Sequence, residues 1–392
     1  MQHGDDYLSY SDDLVKAMSK STDNVDTIMK LVSDFGDTAE NAIVKSGDHA
    51  VDIYERFGEN GLKAVANYGD DAVMLINRHG EDVIDIINTH GNTAVLIVEN
   101  YGDDAIKAIK NGIEPTNINK LVDEFGINPH SYEKRGIKNN KAANQVLNSQ
   151  FTAKKISSVP SFSDTCESVV RNNGFNTVTD FKSTIMKSYR ELDEETFNNV
   201  IAIRNSIPDP TNDTVMQKVI NPNYLDSYFE VQGQYSSSVS GSLAKLSDVQ
   251  DLKTYTEVYN GLRLDYKGTP FVNPGTDNAT MYAIRFTSDE TQNNITKSVV
   301  SEALGNANWE PPYTGTGFIS SAEKLDFTNF DGINNFPAKT VTNGNKCIPE
   351  YIAKNGVSLE NGAEMYKITE SGEEILYAVY DRTDRCFKKI GD

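Results

Sequence analysis

At 392 residues the chain has room for two or three domains, and 38% hydrophobic with 24% charged residues describes a soluble globular protein. A formal net charge of −20 and a pI near 4.7 argue against a non-specific nucleic-acid binder, because such a surface repels phosphates and anionic membranes. The longest wholly apolar run, residues 94–98, is far too short for a transmembrane segment.

The first residues, Met1 to Asp6, show no basic region followed by an apolar core, so no signal peptide is expected. Delivery by another route, or a longer parent chain, is expected instead. From Tyr10 to Gly126 glycine returns every eleven residues, at Gly36, Gly47, Gly58, Gly69, Gly80, Gly91 and Gly102. The unit reads aromatic or His, Gly, Asp/Glu, any residue, small, aliphatic, two residues, aliphatic. Tyr68-Gly69-Asp70-Asp71-Ala72-Val73 through Ile76 is one copy. The fourth residue after each glycine (Glu40, Val51, Leu62, Val73, Ile84, Val95, Ile106) and the seventh (Ile43, Tyr54, Val65, Ile76, Ile87, Val98, Ile109) lie three apart, on one helical face. Glycine suits a corner, and the acid after it suits the start of the next helix, where the dipole favours negative charge. The pattern predicts an all-α solenoid of short helices over residues 1–126, whose units must stack to bury their Ala/Val/Ile faces. The alternative is one continuous rod with a right-handed supercoil, which an eleven-residue period also matches. Seven mid-helix glycines would cost that rod roughly 7 kcal/mol.

Tyr10 to Met18 is an early copy with Ser11 in the glycine's place, and Ile118 to Gly126 reads as an atypical capping unit. The array is strongly acidic, with 24 Asp/Glu against 10 Lys/Arg in residues 1–126. Residues 127–163 are polar, contain Pro129 and Pro160, and read as a linker with one helix around 139–151. Residues 164–392 then read as an α+β domain: a helical part over 164–229, including a helix opened by Glu191 to Glu195 and stopped by Pro208, and a β-rich part over 230–392. Strands are expected at 239–245, 281–286, 317–320, 363–368 and 375–380, forming a mainly antiparallel core.

Cys166, Cys347 and Cys386 form no CxxC pair and suggest neither a disulfide scaffold nor a metal site. The five histidines are His3, His49, His79, His90 and His130, so the C-terminal domain holds no imidazole. That excludes Ser-His-Asp and Cys-His hydrolases and His-metal nucleases from it. Chemistry there must use Arg, Ser, Tyr and carboxylates. Three runs supply them: Thr280 to Phe286 with Arg285, Tyr313 to Ala322 with a Gly315-Thr316-Gly317 loop entering Phe318-Ile319-Ser320-Ser321, and Lys346 to Ile352 with Glu350 among apolar neighbours.

In this order the runs resemble the mono-ADP-ribosyltransferase toxins of the arginine–serine–glutamate class, over about residues 190–380. The resemblance implies NAD as substrate, with Arg285 on the first strand anchoring its phosphates and Tyr313 and Phe318 contacting it. Ser320 and Ser321 would brace the site, and Glu350 would be the catalytic carboxylate. Arg263 and Glu364 are the rivals of Arg285 and Glu350. Ile348 stands where members that modify arginine carry Glu or Gln, which leaves another acceptor, or water in an NAD glycohydrolase, open. The layout of repeat module, linker and compact C-terminal domain resembles polymorphic bacterial toxins and delivered effectors. It implies a target macromolecule and a cognate immunity protein as partners. A non-enzymatic interaction or adhesion protein, with the solenoid as recognition surface, is the reading from another class.

Overall fold

A computed structural model of the chain describes residues 11–21, 24–184, 192–233, 235–262, 264, 269–276, 278–297 and 348–391. These fall into two compact units divided after Asn148. The first is helical: α1 (Asp12–Met18), α2 (Val25–Phe35), α3 (Asp37–Ser46), α4 (Asp48–His79), α5 (Glu81–His90), α6 (Asn92–Lys110), α7 (Pro115–Phe125) and α8 (Asn140–Leu147). All seven array glycines leave helical geometry. Between helices Gly36, Gly47, Gly80 and Gly91 have φ from 52° to 71°, and α4 is broken internally at Gly58 and Gly69, as α6 is at Gly102. The continuous rod is thereby excluded. In the early copy Ser11 accepts a hydrogen bond from the Leu14 amide at 3.2 Å and so caps α1 with its side chain.

Burial in the repeat is broader than the two aliphatic rows. The third residue after each glycine (Ala39, Ala50, Gly61, Ala72, Val83, Ala94, Ala105) and the sixth (Ala42, Ile53, Ala64, Leu75, Ile86, Ile97, Ala108) are also buried. In these four rows every position is buried except Glu40 and Tyr54, which are half-buried, and the small residues let neighbouring backbones approach. Polar links join residues about two units apart. Lys45 donates to the carbonyls of Ala66 at 2.6 Å and Asn67 at 2.9 Å, Arg56 donates to Asn77 at 2.6 Å, and His79 bonds Asp103 at 2.8 Å. These links span 21 to 24 residues of chain.

Gly80 makes a clean test of the corner. Its φ of 67° and ψ of −147° mirror a polyproline II conformation, which an L residue avoids, yet a Cβ there would meet nothing within 4 Å. Gly80→Ala is therefore expected to destabilise the helical unit by about 1–3 kcal/mol through backbone conformation alone. Chemical denaturation followed by far-UV circular dichroism reads this, and an unchanged midpoint would show that the corner is not strained for an L residue.

The second unit carries the helices α9 (Ala153–Ile156), α10 (Phe162–Asn172), α11 (Val178–Thr184), α12 (Glu194–Ser206), α13 (Leu246–Val249), α14 (Tyr255–Gly261) and α15 (Thr291–Asn294). Its strands are β1 (Met216–Val219), β2 (Ser238–Lys245), β3 (Met281–Phe286), β4 (Ile295–Lys297), β5 (Tyr351–Ser358), β6 (Glu364–Ile368), β7 (Ile375–Asp381) and β8 (Cys386–Lys389). They form one antiparallel sheet in the order β4-β5-β2-β1-β3-β6-β7-β8. Alternation along β3 divides the core in two. Ile284 and Phe286 pack with Met216, Met365 and the α10–α12 side chains Cys166, Val170, Phe181 and Ile203. Met281 and Ala283 pack on the other face with Leu246, Val249, Tyr255 and Val258 of α13 and α14.

The stretch 127–163 is not a linker. Residues up to Asn148 belong to the helical unit, and those from Ser149 are built into the sheet unit. Ser149, Gln150 and Phe151 all donate to the buried Glu364 carboxylate, at 2.9, 2.6 and 3.0 Å. Within the helical part over 164–229 the structure also places the short strand β1.

One buried acid shapes how this unit responds to pH. Asp248 is 7% exposed; its Oδ1 accepts from the Phe162 amide at the start of α10 at 2.6 Å, and its Oδ2 has no hydrogen-bond partner among the described residues. Burial pushes its pKa up to about 6, against the opposing pull of the Phe162 N–H and Lys245. The folded state then holds a proton that the unfolded state releases near pH 4, so stability falls as pH rises from 4 to 6. Asp248→Asn is expected to remove about 3 kcal/mol of that fall, read as the wild-type-minus-variant difference in denaturation free energy across the window. Parallel curves would refute it.

Candidate functional site

The sheet is not evenly knit. β1 pairs with β3 along its whole length, from Met216↔Phe286 to Val219↔Ala283, but with β2 only at Met216↔Lys245 and Gln217↔Ala244. β2 instead follows β5, from Leu243↔Tyr351 out to Ser238↔Ser358, with a register shift between Val239 and Gly241. Past Gln217 the two central strands therefore separate. A cleft of about 440 Å³ opens at the split, within the size range of small-molecule sites.

Lys218 spans this gap. Its ammonium donates to the Ser242 carbonyl on β2 at 3.2 Å, where a ladder bond would otherwise run. Gly241 has φ of 79°, and a Cβ on it would lie 3.5 Å from the Lys218 Nζ, so the ammonium sits closely against β2. Desolvation lowers the Lys218 pKa to about 8, while the Glu350 carboxylate pulls it back upward. Glu350 is half-buried and lines the same cleft. Its backbone is fixed by Ile348 (2% exposed) on one side and Tyr351 (0%), which opens β5, on the other. The rest of the wall is polar at Asn221, Ser240 and Ser242, aromatic at Tyr224, Tyr228 and Tyr235, and apolar at Leu262, Leu264 and Phe271.

Of the residues singled out from sequence, Glu350 lies in this cleft and Arg285 does not. Arg285 opposes Gln217 in the β1–β3 register and shares the face of Met281 and Ala283, whereas Lys218 shares the face of Met216 and Ile220. Arg285 is buried, at 7% exposure. It donates from Nε to Gln217 at 3.0 Å and from Nη1 to the Phe151 carbonyl at 2.8 Å, pairs with Glu374, and lies 4.0 Å over the Tyr366 ring. With those partners it braces the residue 149–153 segment, and it is not among the described residues that line the cleft. The rival carboxylate Glu364 belongs to the same network: it is 3% exposed, and Tyr366 donates to it at 2.6 Å. Tyr313, Phe318, Ser320 and Ser321, like Arg263 and Cys347, lie outside the described residues.

Sequence reading missed Lys218, Asn221, Tyr224 and Tyr235. The four-residue β1, with Gln217 and Lys218 in its middle, gives no alternating signal. The tyrosines sit in turns that have no period at all. Among the described residues no helix is long and apolar enough to cross a membrane. Compared with known proteins, the chain matches no family model, no curated protein and no solved structure.

Proposed function

We propose that the sheet unit is an ADP-ribosyltransferase-like domain that cleaves NAD at the cleft between β1 and β2 and transfers ADP-ribose to a target macromolecule. The helical unit is then a solenoid that serves as carrier or docking surface, and the whole is a toxin or delivered effector whose producer needs an immunity partner. One observation carries the reading: the Glu350 carboxylate and the Lys218 ammonium meet in a cleft made by the parting of two central strands. Breaking the nicotinamide–ribose bond builds positive charge on the ribose, and a carboxylate held in a partly desolvated cleft stabilises it. The pyrophosphate needs a cation. That role moves from Arg285 to Lys218, which lies on the first strand of the sheet unit and offers a point charge where arginine would offer a fork.

Water is a second acceptor that the site favours. Ile348, two residues before Glu350, is packed into the core with Ala244 and Leu246 and supplies no second carboxylate to orient an incoming arginine. The test is to incubate the full chain with NAD and measure free nicotinamide, with and without a cell lysate carrying label acceptors. Nicotinamide with label transfer supports the transferase, and nicotinamide without transfer supports the glycohydrolase. No nicotinamide under either condition overturns both and leaves the interaction-protein reading.

A further inference from the structure

The cleft contains an aromatic feature that bond cleavage does not use. Tyr224 is 44% exposed although its ring is large, and it lines the cleft with Tyr235, their ring centroids 4.7 Å apart and their planes tilted by 38°. Both rings are held by tight turns. Tyr224 ends the 3₁₀ turn Pro222–Tyr224, which Asn221 caps by accepting from the Asn223 amide at 2.9 Å. Next to Tyr235, the fully buried Ser236 donates through its amide and hydroxyl to the Gly233 carbonyl, at 3.2 and 2.9 Å. The second turn packs closely on the chain just after the first: a Cβ on Gly233 would come within 2.6 Å of the Ser227 carbonyl. Tyr235 is partly buried against the core and backs the exposed Tyr224 ring, a pair that offers a stacking surface with a reduced ordering cost on binding.

The chemistry around it narrows the ligand. Lys218 is the sole Lys or Arg among the described cleft-lining residues, so it offers one centre for an anionic group. Glu350 repels a second anion beside it but accepts hydrogen bonds from hydroxyls, and Asn221 both donates and accepts. A ligand that satisfies all of these carries a phosphate, vicinal hydroxyls and a planar ring. We infer that the cleft is a bipartite nucleotide site, in which Lys218 takes a phosphate and the Tyr224–Tyr235 pair stacks the base. The inference rests on the NAD-cleaving reading of the same cleft and assigns its binding half.

The experiment is calorimetric titration of the full chain with AMP, adenosine and ribose 5-phosphate near neutral pH, where the ammonium is charged. AMP is expected to bind more tightly than either part. Tyr224→Ala should weaken AMP and adenosine by about 5- to 150-fold, the range for loss of one base–aromatic stack, and leave ribose 5-phosphate unchanged. Tyr224→Phe should retain binding. Lys218→Met should weaken AMP and ribose 5-phosphate but not adenosine, with Lys218→Arg restoring part of the loss. The advantage of AMP over adenosine should also shrink as pH rises through about 8, where Lys218 loses its proton. An AMP affinity no better than that of ribose 5-phosphate, or an equal loss of all three probes in Tyr224→Ala, would overturn the inference. Nicotinamide release separates it from the enzymatic reading. A chain that binds AMP in this pattern but cleaves no NAD keeps the site and loses the enzyme. A chain in which Tyr224→Ala cleaves NAD with unchanged KM keeps the enzyme and loses the stacking site.

Discussion

Glu350→Gln is expected to lower the rate of nicotinamide release from NAD by about 10²–10³-fold, the size of effect found when one group aimed at transition-state charge is removed. Glutamine keeps the shape of the side chain, and its backbone neighbours Ile348 and Tyr351 are buried at 2% and 0% exposure, so the cleft wall should stay in place. What is lost is the negative charge. The loss should appear in kcat and kcat/KM together, because the carboxylate interacts with charge that exists only as the bond breaks. One indirect effect needs control. Glu350 helps keep the Lys218 proton on, so without it the ammonium, already lowered to about 8, loses its proton at still lower pH. The comparison is therefore made below pH 7, and Lys218→Met is expected to raise KM more than it lowers kcat. A Glu350→Gln protein that keeps more than a tenth of wild-type kcat would remove Glu350 from the chemistry.

The sequence read well where a period or an alternation ran for several turns. Seven glycines at an eleven-residue spacing each marked a break from helical geometry between Gly36 and Gly102, and the alternation of Met281–Phe286 marked β3 to the residue. The reading put Ala/Val/Ile faces inside but traced only the fourth and seventh positions after each glycine as rows. Alanine at positions such as Ala39, Ala72 and Ala105 says little about burial from sequence, because it is small enough to sit on either side, yet all three are 0% exposed. Arg285 shows the deeper limit. A lone arginine on a strand reads alike whether it clamps a ligand or braces a core. What decides is its partners: Gln217, Glu374 and Phe151 stand 68, 89 and 134 residues away in the chain. Lys218 was invisible for the complementary reason. Its importance comes from two strands that part beside it, and the register of β1 against β2 cannot be read from either strand alone.

Because Arg285 and Glu364 are structural, the largest stability effect in the sheet unit is expected from Glu364→Ala, at about 3–5 kcal/mol. The carboxylate is 3% exposed and accepts four hydrogen bonds, from the Ser149 hydroxyl, the Gln150 and Phe151 amides and the Tyr366 hydroxyl. Alanine leaves two backbone N–H groups and one hydroxyl without their acceptor, since the Ser149 and Tyr366 hydroxyls, 2.8 Å apart, can still bond each other. The neighbouring Arg285, which depends on the Phe151 carbonyl, then loses the segment it braces. Glu364→Gln should cost less but more than a surface change, since its amide turns one acceptor into a donor facing N–H and O–H donors. Hydrogen exchange distinguishes this from a general loosening: protection of the Gln150 and Phe151 amides should collapse first, ahead of the β3–β6 ladder that carries Ala283↔Tyr366. If instead those amides stay protected while the whole ladder exchanges faster, the carboxylate supports the sheet rather than the entering segment. The direction of that result matters for the cleft. Gln217, the last β1 residue still paired with β2, holds the Arg285 Nε at 3.0 Å, so the network that seats residues 149–153 also fixes the strand position at which the sheet begins to part.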